Sequence, residues 1–562
     1  NLRPPAARAR AAGGRRFETP PFALMLETVA PSAHHARTFV SAIDGSVQYF
    51  GVAPRVGAAA GRPALILTLH GAGVEAIGQA RAYAPKDWAH IVAATNRRPY
   101  GFDWEDWGRL DALEVLGEAT RLFGADPLRT YLTGHSMGGH GAWQVGVTVP
   151  GQWAAIAPSA GWHSFTSYGG GATYEDPSSV EAMLIRANNP SDTTALARNL
   201  LHYGVYVLHG DQDDNVPVAQ ARHMREILGR FHPDFAYYER PGAGHWWGNE
   251  CVDWPPLMRF LEERVRPPDA EAGRVDFVTA DPGISSRSRW IEILAQRRPL
   301  EFSRVAVERD EAGTGFKGTT ENVGRLAIDV LPIPAEDAAG MTPSGAATGG
   351  LSAGAAENGT ARRAQDVVTI ELDGSKLEAL PVPDSRRIHL ERGDEGWTVT
   401  GPPDLEAKGP HRSGGFKSAF RHGFVCVYGT RGDAAEDTRS YGKARFDAEM
   451  FWVRGNAGIE VIPDTAFDPA RYKDRSVILY GNADTNAAWA GLLAGSPVEV
   501  RNGRVVIGER TYEGADLAAY FVRPRPGSAA ASVGVVAWTG KAGWTAASPG
   551  QYFISGAGFP DL

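Results

Sequence analysis

One short stretch decides the fold: residues 131–141 read YLTGHSMGGHG. An apolar segment over residues 130–133 leads into the pattern G-x-S-x-G, whose serine is Ser136, and a helix-like segment follows over residues 139–147. A serine held between a strand and a helix, with glycines where neighbouring backbone leaves no room for a Cβ atom, is typical of a nucleophile elbow. We therefore predict that Ser136 stands out at the top of a sheet as a nucleophile.

The composition is that of an ordinary globular protein of several domains, because 562 residues are too many for one hydrophobic core. A net charge of −8, from 57 basic and 65 acidic residues, argues against nucleic acid as a partner. The apolar runs are too short for a membrane span. Two distant cysteines, Cys251 and Cys426, fit buried thiols rather than a disulfide framework or a zinc site, so we expect no metal.

Residues 1–36 are predicted to be a leader or linker that precedes the first domain. The chain begins at Asn1, and residues 1–16 are rich in alanine, arginine, proline and glycine, a composition typical of disorder. A removed secretory signal would fit such a start. We therefore favour a secreted or periplasmic location.

Strand-like and helix-like segments alternate over residues 37–266. The segment 64–69 (ALILTL) is apolar throughout, as in a strand covered on both faces, and the turn Asp44-Gly45 predicts an antiparallel hairpin at the sheet edge. Alternating strands and helices predict a doubly wound, mostly parallel α/β sheet. An insertion over residues 162–201 is either a cap over the site or a surface excursion without function.

The sequence pattern changes after residue 266. Residues 267–410 carry short alternating runs separated by turn residues, typical of a β-sandwich or a similar β-rich module, with a loop rich in small residues over 335–364. Residues 411–562 return to a strand–helix rhythm, which predicts a second, smaller α/β module. Three polar side chains in that module are interpreted as solvated or capping groups: Asp437, Asp484 and His422.

The acid that would orient a catalytic base is expected in the stretch 208–217 (LHGDQDDNVP), which follows one predicted strand and precedes a helix. Three aspartates compete there, and the motif of hydrolases with such an elbow, G-x-x-D-x-x-V-P, selects Asp213. Asp211 and Asp214 are expected to cap the turn or face water. The stretch also resembles the start of a calcium loop, but it lacks the required glycine and glutamate, so we reject calcium.

The base itself is expected at His245, in the glycine-rich stretch 241–247 (PGAGHWW) after the last predicted strand of this domain. A loop histidine can turn Nε2 toward the serine while its Nδ1–H points at the aspartate. The chain order Ser136, Asp213, His245 is the order found with elbow-type nucleophiles. Three other histidines are interpreted as local packing: His135, His140 and His209.

A tetrahedral intermediate at Ser136 would need two hydrogen-bond donors for its negative oxygen. One is expected to be the backbone N–H of Met137, directly after the nucleophile. The other is expected from the loop after the early strand, residues 70–73 (HGAG), at the N–H of Ala72.

The same loop supports a rival interpretation. Residues 71–76 (GAGVEA) match G-x-G-x-x-A after a strand, which is the dinucleotide-binding fingerprint. The acidic residue expected about 20 positions further on is missing, and the next strand ends instead in NRR at 96–98, which could suit a 2′-phosphate. We disfavour this interpretation because it leaves the serine, the aspartate and the histidine without a purpose.

The segment from Tyr49 to Val265 resembles the α/β-hydrolase superfamily, through this residue order and the loop at residues 70–71. Within it, GHSMGGHGA at 134–142 and WAAIAPSAG at 153–161 look like the prolyl-oligopeptidase-like and the feruloyl- and acetyl-xylan-esterase-like branches. The resemblance implies cleavage of esters or peptides through an acyl-enzyme, with no cofactor. Prolyl oligopeptidases carry a β-propeller before the catalytic domain, and the stretch before Tyr49 is too short for one, so an esterase is favoured.

Tryptophans on loops at the expected sheet edge suggest the substrate. The candidate substrate-binding residues are Trp104, Trp162 and Trp246, with Trp107 and Trp247 beside them, because aromatic faces suit a sugar ring or an aromatic acyl group. We therefore expect a small-molecule or polysaccharide-linked ester, with its acyl group on a carbohydrate or an aromatic alcohol. A serine peptidase of prolyl-oligopeptidase type and a non-catalytic binding protein on the same fold are the alternatives.

Overall fold

The computed structural model describes residues 28–57, 61–170, 174–331, 367–382 and 385–558, together with the backbone of two short antiparallel strands, β1 (Ala9–Arg10) and β2 (Arg16–Phe17). The predicted loop at 335–364 and most of the predicted leader lie outside these residues. The described chain folds into three regions, each with its own buried apolar core. None of the helices in these ranges is both long enough and apolar enough to span a membrane.

The first region is built on one eight-stranded sheet. Its strands are β3 (His35–Val40), β4 (Val47–Ala53), β5 (Ala64–Leu69), β6 (Ala89–Ala93), β7 (Thr130–His135), β8 (Ala155–Ser159), β9 (Gly204–Gly210) and β10 (Phe235–Arg240). Their order across the sheet is β10-β9-β8-β7-β5-β6-β4-β3. The pairs from β10 to β6 are parallel, whereas β4 is antiparallel to both β6 and β3. The predicted mostly parallel sheet and its antiparallel edge hairpin are confirmed.

Six α-helices follow the strands β5 to β10 of the described chain, one after each strand. They are α1 (Ala76–Arg81), α2 (Asp106–Phe123), α3 (Met137–Thr148), α4 (Ser179–Asn188), α5 (Ala219–Leu228) and α6 (Pro255–Glu262). Alternate residues of β5 enter two separate apolar clusters, with Leu65 and Leu67 in one and Ala64 and Ile66 in the other. Because successive strand side chains point to opposite faces, this division shows that both faces of the sheet are covered.

The insertion between β8 and β9 contains α4, whose start is fixed by a capping box. The side chain of Ser178 accepts a hydrogen bond from the N–H of Glu181, and the Glu181 carboxylate accepts one from the N–H of Ser178. Earlier in the insertion, the hydroxyl of Tyr168 donates to the side-chain oxygen of Asn215 at 3.4 Å. The insertion therefore contacts the loop that carries the predicted acid, Asp213.

The second region is a β-sandwich. Its strands are β11 (Arg274–Thr279), β12 (Arg287–Ser288), β13 (Ile291–Gln296), β14 (Ser303–Arg309), β15 (Gly315–Glu321), β16 (Val323–Asp329), β17 (Val368–Leu372), β18 (Ser375–Ala379), β19 (Arg387–Gly393) and β20 (Gly396–Thr400). They form two five-stranded sheets, β11-β14-β15-β17-β18 and β12-β13-β16-β19-β20. One core holds side chains of both sheets, among them Phe277 of β11 and Ile293 of β13.

The third region is the smaller α/β module. Its elements are β21 (Phe424–Tyr428), α7 (Ala434–Gly455), β22 (Glu460–Pro463), β23 (Ser476–Tyr480), α8 (Trp489–Leu492), β24 (Val498–Arg501), β25 (Arg504–Ile507), β26 (Arg510–Glu513), β27 (Ala518–Pro524), β28 (Ser532–Trp538) and α9 (Lys541–Ala547). The main sheet has the order β22-β21-β23-β28-β27, parallel except for β27, and β24 to β26 form a separate meander. Asp437 and Asp484 accept hydrogen bonds from the backbone N–H groups of Gly432 and Asn502, as capping groups do, and Asp484 also pairs with Arg501.

The first and third regions share an aromatic core. Phe102 and Trp107, from the loop before α2 and its first turn, lie in one cluster with Phe420, Phe451 and Phe553 of the third region. The indole N–H of Trp107 donates to the carbonyl oxygen of Phe420 at 2.7 Å, and its ring centroid lies 4.8 Å from that of Phe451. The third region therefore completes the packing of the first.

Candidate active site

Ser136 lies at the turn between β7 and α3. Its backbone has φ 60° and ψ −121°, a conformation that residues other than glycine rarely adopt. Two glycines allow the turn, since a Cβ atom at Gly134 would lie 2.2 Å from the carbonyl oxygen of Gly138, and one at Gly138 would lie 1.9 Å from that of Leu69. The turn holds the Ser136 side chain at the carboxyl end of the parallel strands.

Ser136, His245 and Asp213 are joined by hydrogen bonds at this edge. Nε2 of His245 lies 2.8 Å from Oγ of Ser136, and Nδ1 lies 2.8 Å and 3.0 Å from the two carboxylate oxygens of Asp213. With its proton on Nδ1, the imidazole donates to Asp213 and accepts from the serine hydroxyl. These three predicted residues follow β7, β9 and β10, which end at the same edge of the sheet.

The carboxylate of Asp213 is fully buried among hydrogen-bond donors. Besides His245, it accepts from the backbone N–H groups of Asn215 and Val216 at 2.9 Å and 2.8 Å, and Nε2 of His209 lies 3.1 Å from it. Burial acts to raise the pKa of Asp213, but the hydrogen bonds from His209, His245 and the two N–H groups outweigh it and hold that pKa well below its usual value. The carboxylate therefore stays ionised.

His209 and His135 are the residues that the sequence analysis missed. His209 was expected to serve local packing, yet it contacts the carboxylate of Asp213 and also lies 2.9 Å from the carbonyl oxygen of Val216. A histidine near the end of a strand, four residues before the acid, is a weak signal in a sequence, because spacing alone does not show which side chains are in contact. This interpretation of His209 is corrected, since its side chain helps to fix Asp213.

His135 precedes the nucleophile and supports the histidine loop. Its Nε2 lies 2.8 Å from the backbone carbonyl oxygen of His245, and the two rings lie 4.8 Å apart between centroids. Burial, reinforced by the nearby His245, lowers the pKa of His135 to about 3. A neutral His135 with its proton on Nε2 therefore donates to the His245 carbonyl, which also corrects its assignment as mere packing. His140 instead contacts Glu105 and Trp162, as a packing residue would.

The two predicted oxyanion donors belong to segments beside Ser136. Met137 begins α3, where backbone N–H groups have no partner within the helix. Ala72 belongs to the loop after β5, and a Cβ atom on the neighbouring Gly71 would lie 3.4 Å from Cβ of Ser136. Buried His70 fixes this loop, because its ring nitrogens lie 2.9 Å from the carbonyl oxygens of Gly71 and Thr95.

A cleft of about 580 Å³ opens above Ser136 and His245. Ala72 and Val74 line one part of it, and Trp246 lines another. Trp246 is 52% exposed, and its ring meets that of His135 edge-on, with 5.1 Å between the ring centroids. This volume is large enough for a substrate of moderate size.

The other tryptophans do not line this cleft, and their expected place there is corrected. Trp104 is completely buried and donates from Nε1 to the carbonyl oxygen of His70, and Trp107 lies in the core shared with the third region. Trp162 is 5% exposed, stacked between the rings of His140 and Tyr168. Trp247 is partly buried against the apolar cluster of α6. A large apolar ring near a site is more stable buried in the core than exposed in a cleft. The position of a tryptophan on a loop does not show whether it is buried or exposed.

The dinucleotide interpretation does not fit the structure. Arg97 is buried, pairs with Asp44 at 2.8 Å and donates from Nε to the carbonyl oxygen of Gly455 at 2.9 Å, so it cannot reach a 2′-phosphate.

Within the described ranges, no group of three metal-ligating side chains is close enough to hold an ion. Both cysteines are buried, and burial raises the pKa of Cys251 to about 12.

Residues 97–261 match the model of the prolyl oligopeptidase family. A relative named as an uncharacterized secreted protein, from Arthroderma benhamiae, is 27% identical over 289 residues, which cover 48% of this chain and 31% of that protein. The chain thus spans about a third of the length of this curated relative.

Solved structures of two kinds of hydrolase are similar to part of the chain. A ferulic acid esterase of Anaeromyces mucronatus has 16% identity and a TM-score of 0.31, and the match covers 43% of this chain and 93% of the esterase. An acylaminoacyl peptidase of Pyrococcus horikoshii has 16% identity and a TM-score of 0.33, and the match covers 42% of each chain. From its own sheet order and its family match, the chain contains an α/β-hydrolase domain in which residues 97–261 match the prolyl oligopeptidase family.

Proposed function

We propose that this protein is a serine hydrolase that cleaves carboxylic esters through an acyl-enzyme, with Ser136, His245 and Asp213 as its catalytic residues. The observation that carries the proposal is the position of His245, within 2.8 Å of both the Ser136 hydroxyl and the Asp213 carboxylate. A serine hydroxyl is a poor nucleophile until a base takes its proton, and a base needs an acid to orient it. This arrangement supplies both.

In the first half of the proposed reaction, Oγ of Ser136 attacks the ester carbonyl carbon while its proton passes to Nε2 of His245. Asp213, kept ionised by its donors, stabilises the imidazolium and holds the ring in place. The N–H groups of Met137 and Ala72 donate to the negative oxygen of the tetrahedral intermediate. The imidazolium then protonates the departing alcohol, which leaves the acyl group on Ser136.

In the second half, a water molecule attacks the acyl carbonyl while His245 accepts its proton. The same two N–H groups stabilise the second tetrahedral intermediate, and His245 returns the proton to Oγ of Ser136 as the acid departs. No step needs a metal ion or an organic cofactor, because the proton is exchanged between Ser136, His245 and the substrate oxygens alone.

An ester attached to a carbohydrate or an aromatic alcohol is the substrate class we favour. The support is Trp246, whose exposed ring lines the cleft and can stack on a sugar or an aromatic group. The match to the prolyl oligopeptidase family favours peptide cleavage as the second candidate. The name of the fungal relative supports a secreted location.

A fluorophosphonate probe tests the proposal directly. We expect the wild-type protein to be labelled and the Ser136→Ala variant to remain unlabelled, with Ser164→Ala, a serine of the insertion, as the matched control that keeps labelling. Release of 4-nitrophenol from 4-nitrophenyl acetate and of ferulate from feruloyl esters should fall by at least about 10⁴-fold in Ser136→Ala. Absence of labelling in the wild-type protein would favour a binding protein, and cleavage of aminoacyl anilides in preference to esters would favour the peptidase.

A further inference from the structure

The cleft above Ser136 is lined by a positively charged side chain and by no carboxylate among the described residues. Among the described residues that line it, Arg81 is the one side chain with a permanent charge, and no carboxylate joins it there. The other lining residues have no permanently charged group: small side chains along the loop after β5, the amides Gln79, Asn215 and Asn249, the two histidines and the ring of Trp246. A bound molecule in this cleft therefore meets one fixed positive charge.

The guanidinium of Arg81 is free to bind that molecule. Arg81 is the last residue of α1 and is exposed, and in the described part of the chain it forms neither an ion pair nor a side-chain hydrogen bond. Glu75, six residues before Arg81 and just before α1, is bound by the hydroxyl of Tyr49 at 2.5 Å. Glu250, beside the cleft residue Asn249, pairs with Arg240 instead. These two acids thus have other partners.

We infer that the ester cleaved at Ser136 carries a carboxylate, and that Arg81 binds it. This inference rests on the proposed serine hydrolase function and adds the substrate's charge to it. The planar guanidinium presents two parallel N–H groups that match the two oxygens of a carboxylate, a contact that a neutral ester cannot replace. Arg81 and Ser136 line the same cleft of about 580 Å³, so one substrate can reach both.

Matched pairs of esters test the inference and show which half of the substrate bears the charge. For the acyl half, mono-4-nitrophenyl adipate is compared with its neutral methyl ester. For the alcohol half, 4-acetoxybenzoate is compared with methyl 4-acetoxybenzoate. We expect wild-type enzyme to have a KM about five- to tenfold lower for the anionic member of one pair, as a charge-assisted hydrogen bond at an exposed site would give.

Three variants assign that preference to Arg81. Arg81→Gln should remove the preference by raising KM for the anionic esters to that for their neutral partners, Arg81→Lys should keep part of the preference, and Arg81→Glu should reverse it. Arg230→Gln, which removes an exposed arginine beyond α5 and outside the cleft, is the matched control. Raising the salt from 0.05 M to about 0.5 M should weaken the wild-type preference, because exposed charges are screened.

The inference is overturned if wild-type enzyme cleaves both members of each pair with equal KM, or if Arg81→Gln keeps the preference. These outcomes differ from failure of the proposed function, in which neither the charged nor the neutral esters are cleaved and the fluorophosphonate probe does not label Ser136.

Discussion

At the scale of single residues, two further histidines support two of the three proposed catalytic residues. His209 contacts the carboxylate of Asp213, and His135 contacts the backbone of His245. Neither touches the Ser136 hydroxyl in the structure, so both act by position. Displacing a catalytic group by about 1 Å can lower the reaction rate about a hundredfold. Removing either histidine's contact should therefore produce a measurable decrease in kcat.

We predict that His209→Phe lowers kcat about tenfold with little change in KM, because Asp213 loses one of its donors and holds His245 less firmly. His232→Phe is the matched control: His232 is also buried and bonded to a backbone carbonyl oxygen, that of Leu200, at 2.8 Å. Steady-state kinetics on one ester and thermal unfolding of both variants are the measurements. An equal loss of kcat in the two variants would reduce His209 to a structural role.

We also predict that His135 makes the fold sensitive to acid. Its pKa is lowered from 6.5 to about 3 in the folded protein, so the unfolded chain takes up this proton first as pH falls. The free energy of unfolding therefore decreases as the pH falls from about 6.5 to the pKa of His135 in the folded protein. For this one group the decrease is at most about 1.4 kcal/mol per pH unit. Above pH 6.5 the group contributes no pH dependence.

His135→Gln tests this dependence, since an amide N–H can still donate to the His245 carbonyl and does not titrate. Unfolding by urea at pH 7, 6, 5 and 4 should show a flatter loss of stability in the variant than in the wild type. Parallel curves for the two proteins would contradict the predicted role of His135.

At the scale of elements, the turn from β7 into α3 sets the site. The turn lies so close to the end of β5 that a Cβ atom on Gly138 would collide with the carbonyl oxygen of Leu69. The pattern G-x-S-x-G predicted this turn because only glycine fits such a contact. The helix bounds were predicted less well: α3 begins at Met137, two residues before the expected start, since helix ends depend on local capping.

Two glycine-to-alanine variants separate close packing from helix propensity. Gly138→Ala should lower the free energy of unfolding by more than about 4 kcal/mol, because the clash is with rigid backbone. Gly117→Ala, in α2 with nothing within 4 Å of the added Cβ, should raise it by about 0.5–1 kcal/mol. Denaturant unfolding measures both changes, and a Gly138→Ala protein of wild-type stability would show that the turn has room to relax.

At the scale of the whole molecule, the proposed catalytic domain and the third region share one aromatic core. Trp107 is 1% exposed, and Arg97 lies with its guanidinium 5.0 Å from the centre of the Trp107 ring. Arg97 also pairs with Asp44, in the turn between β3 and β4. Through Trp107, Arg97 and Asp44, the core shared with the third region is therefore connected to the edge of the first sheet. The regions are therefore expected to unfold together.

We predict that Trp107→Ala destabilises the protein by about 3–5 kcal/mol, the cost of removing a large buried ring. The urea concentrations at which the proposed hydrolase activity is lost and at which tryptophan fluorescence changes should then both decrease, and by the same amount. Trp452→Ala is the control, since Trp452 is on α7 of the third region but 60% exposed, and should change stability by less than about 0.5 kcal/mol. Separate transitions for activity and fluorescence would mean that the two regions unfold independently.

The sequence by itself determined the architecture and the order of the proposed catalytic residues. Local patterns suffice for this, because a strand covered on both faces is apolar throughout and a tight elbow needs glycine at fixed positions. The choice of Asp213 among three aspartates also followed from its motif, and the structure places that residue beside His245.

Only the tertiary structure decided which side chains support the site and which line the cleft. His209 contacts Asp213, whereas Trp246 is exposed in the cleft. Trp104 and Trp107 are both buried. In the sequence, all four residues lie at or near the predicted ends of strands or in predicted loops. The physical reason is that burial of a ring depends on what packs over it. For Trp107 that partner is Phe420, more than three hundred residues away along the chain, and no local pattern specifies such a contact.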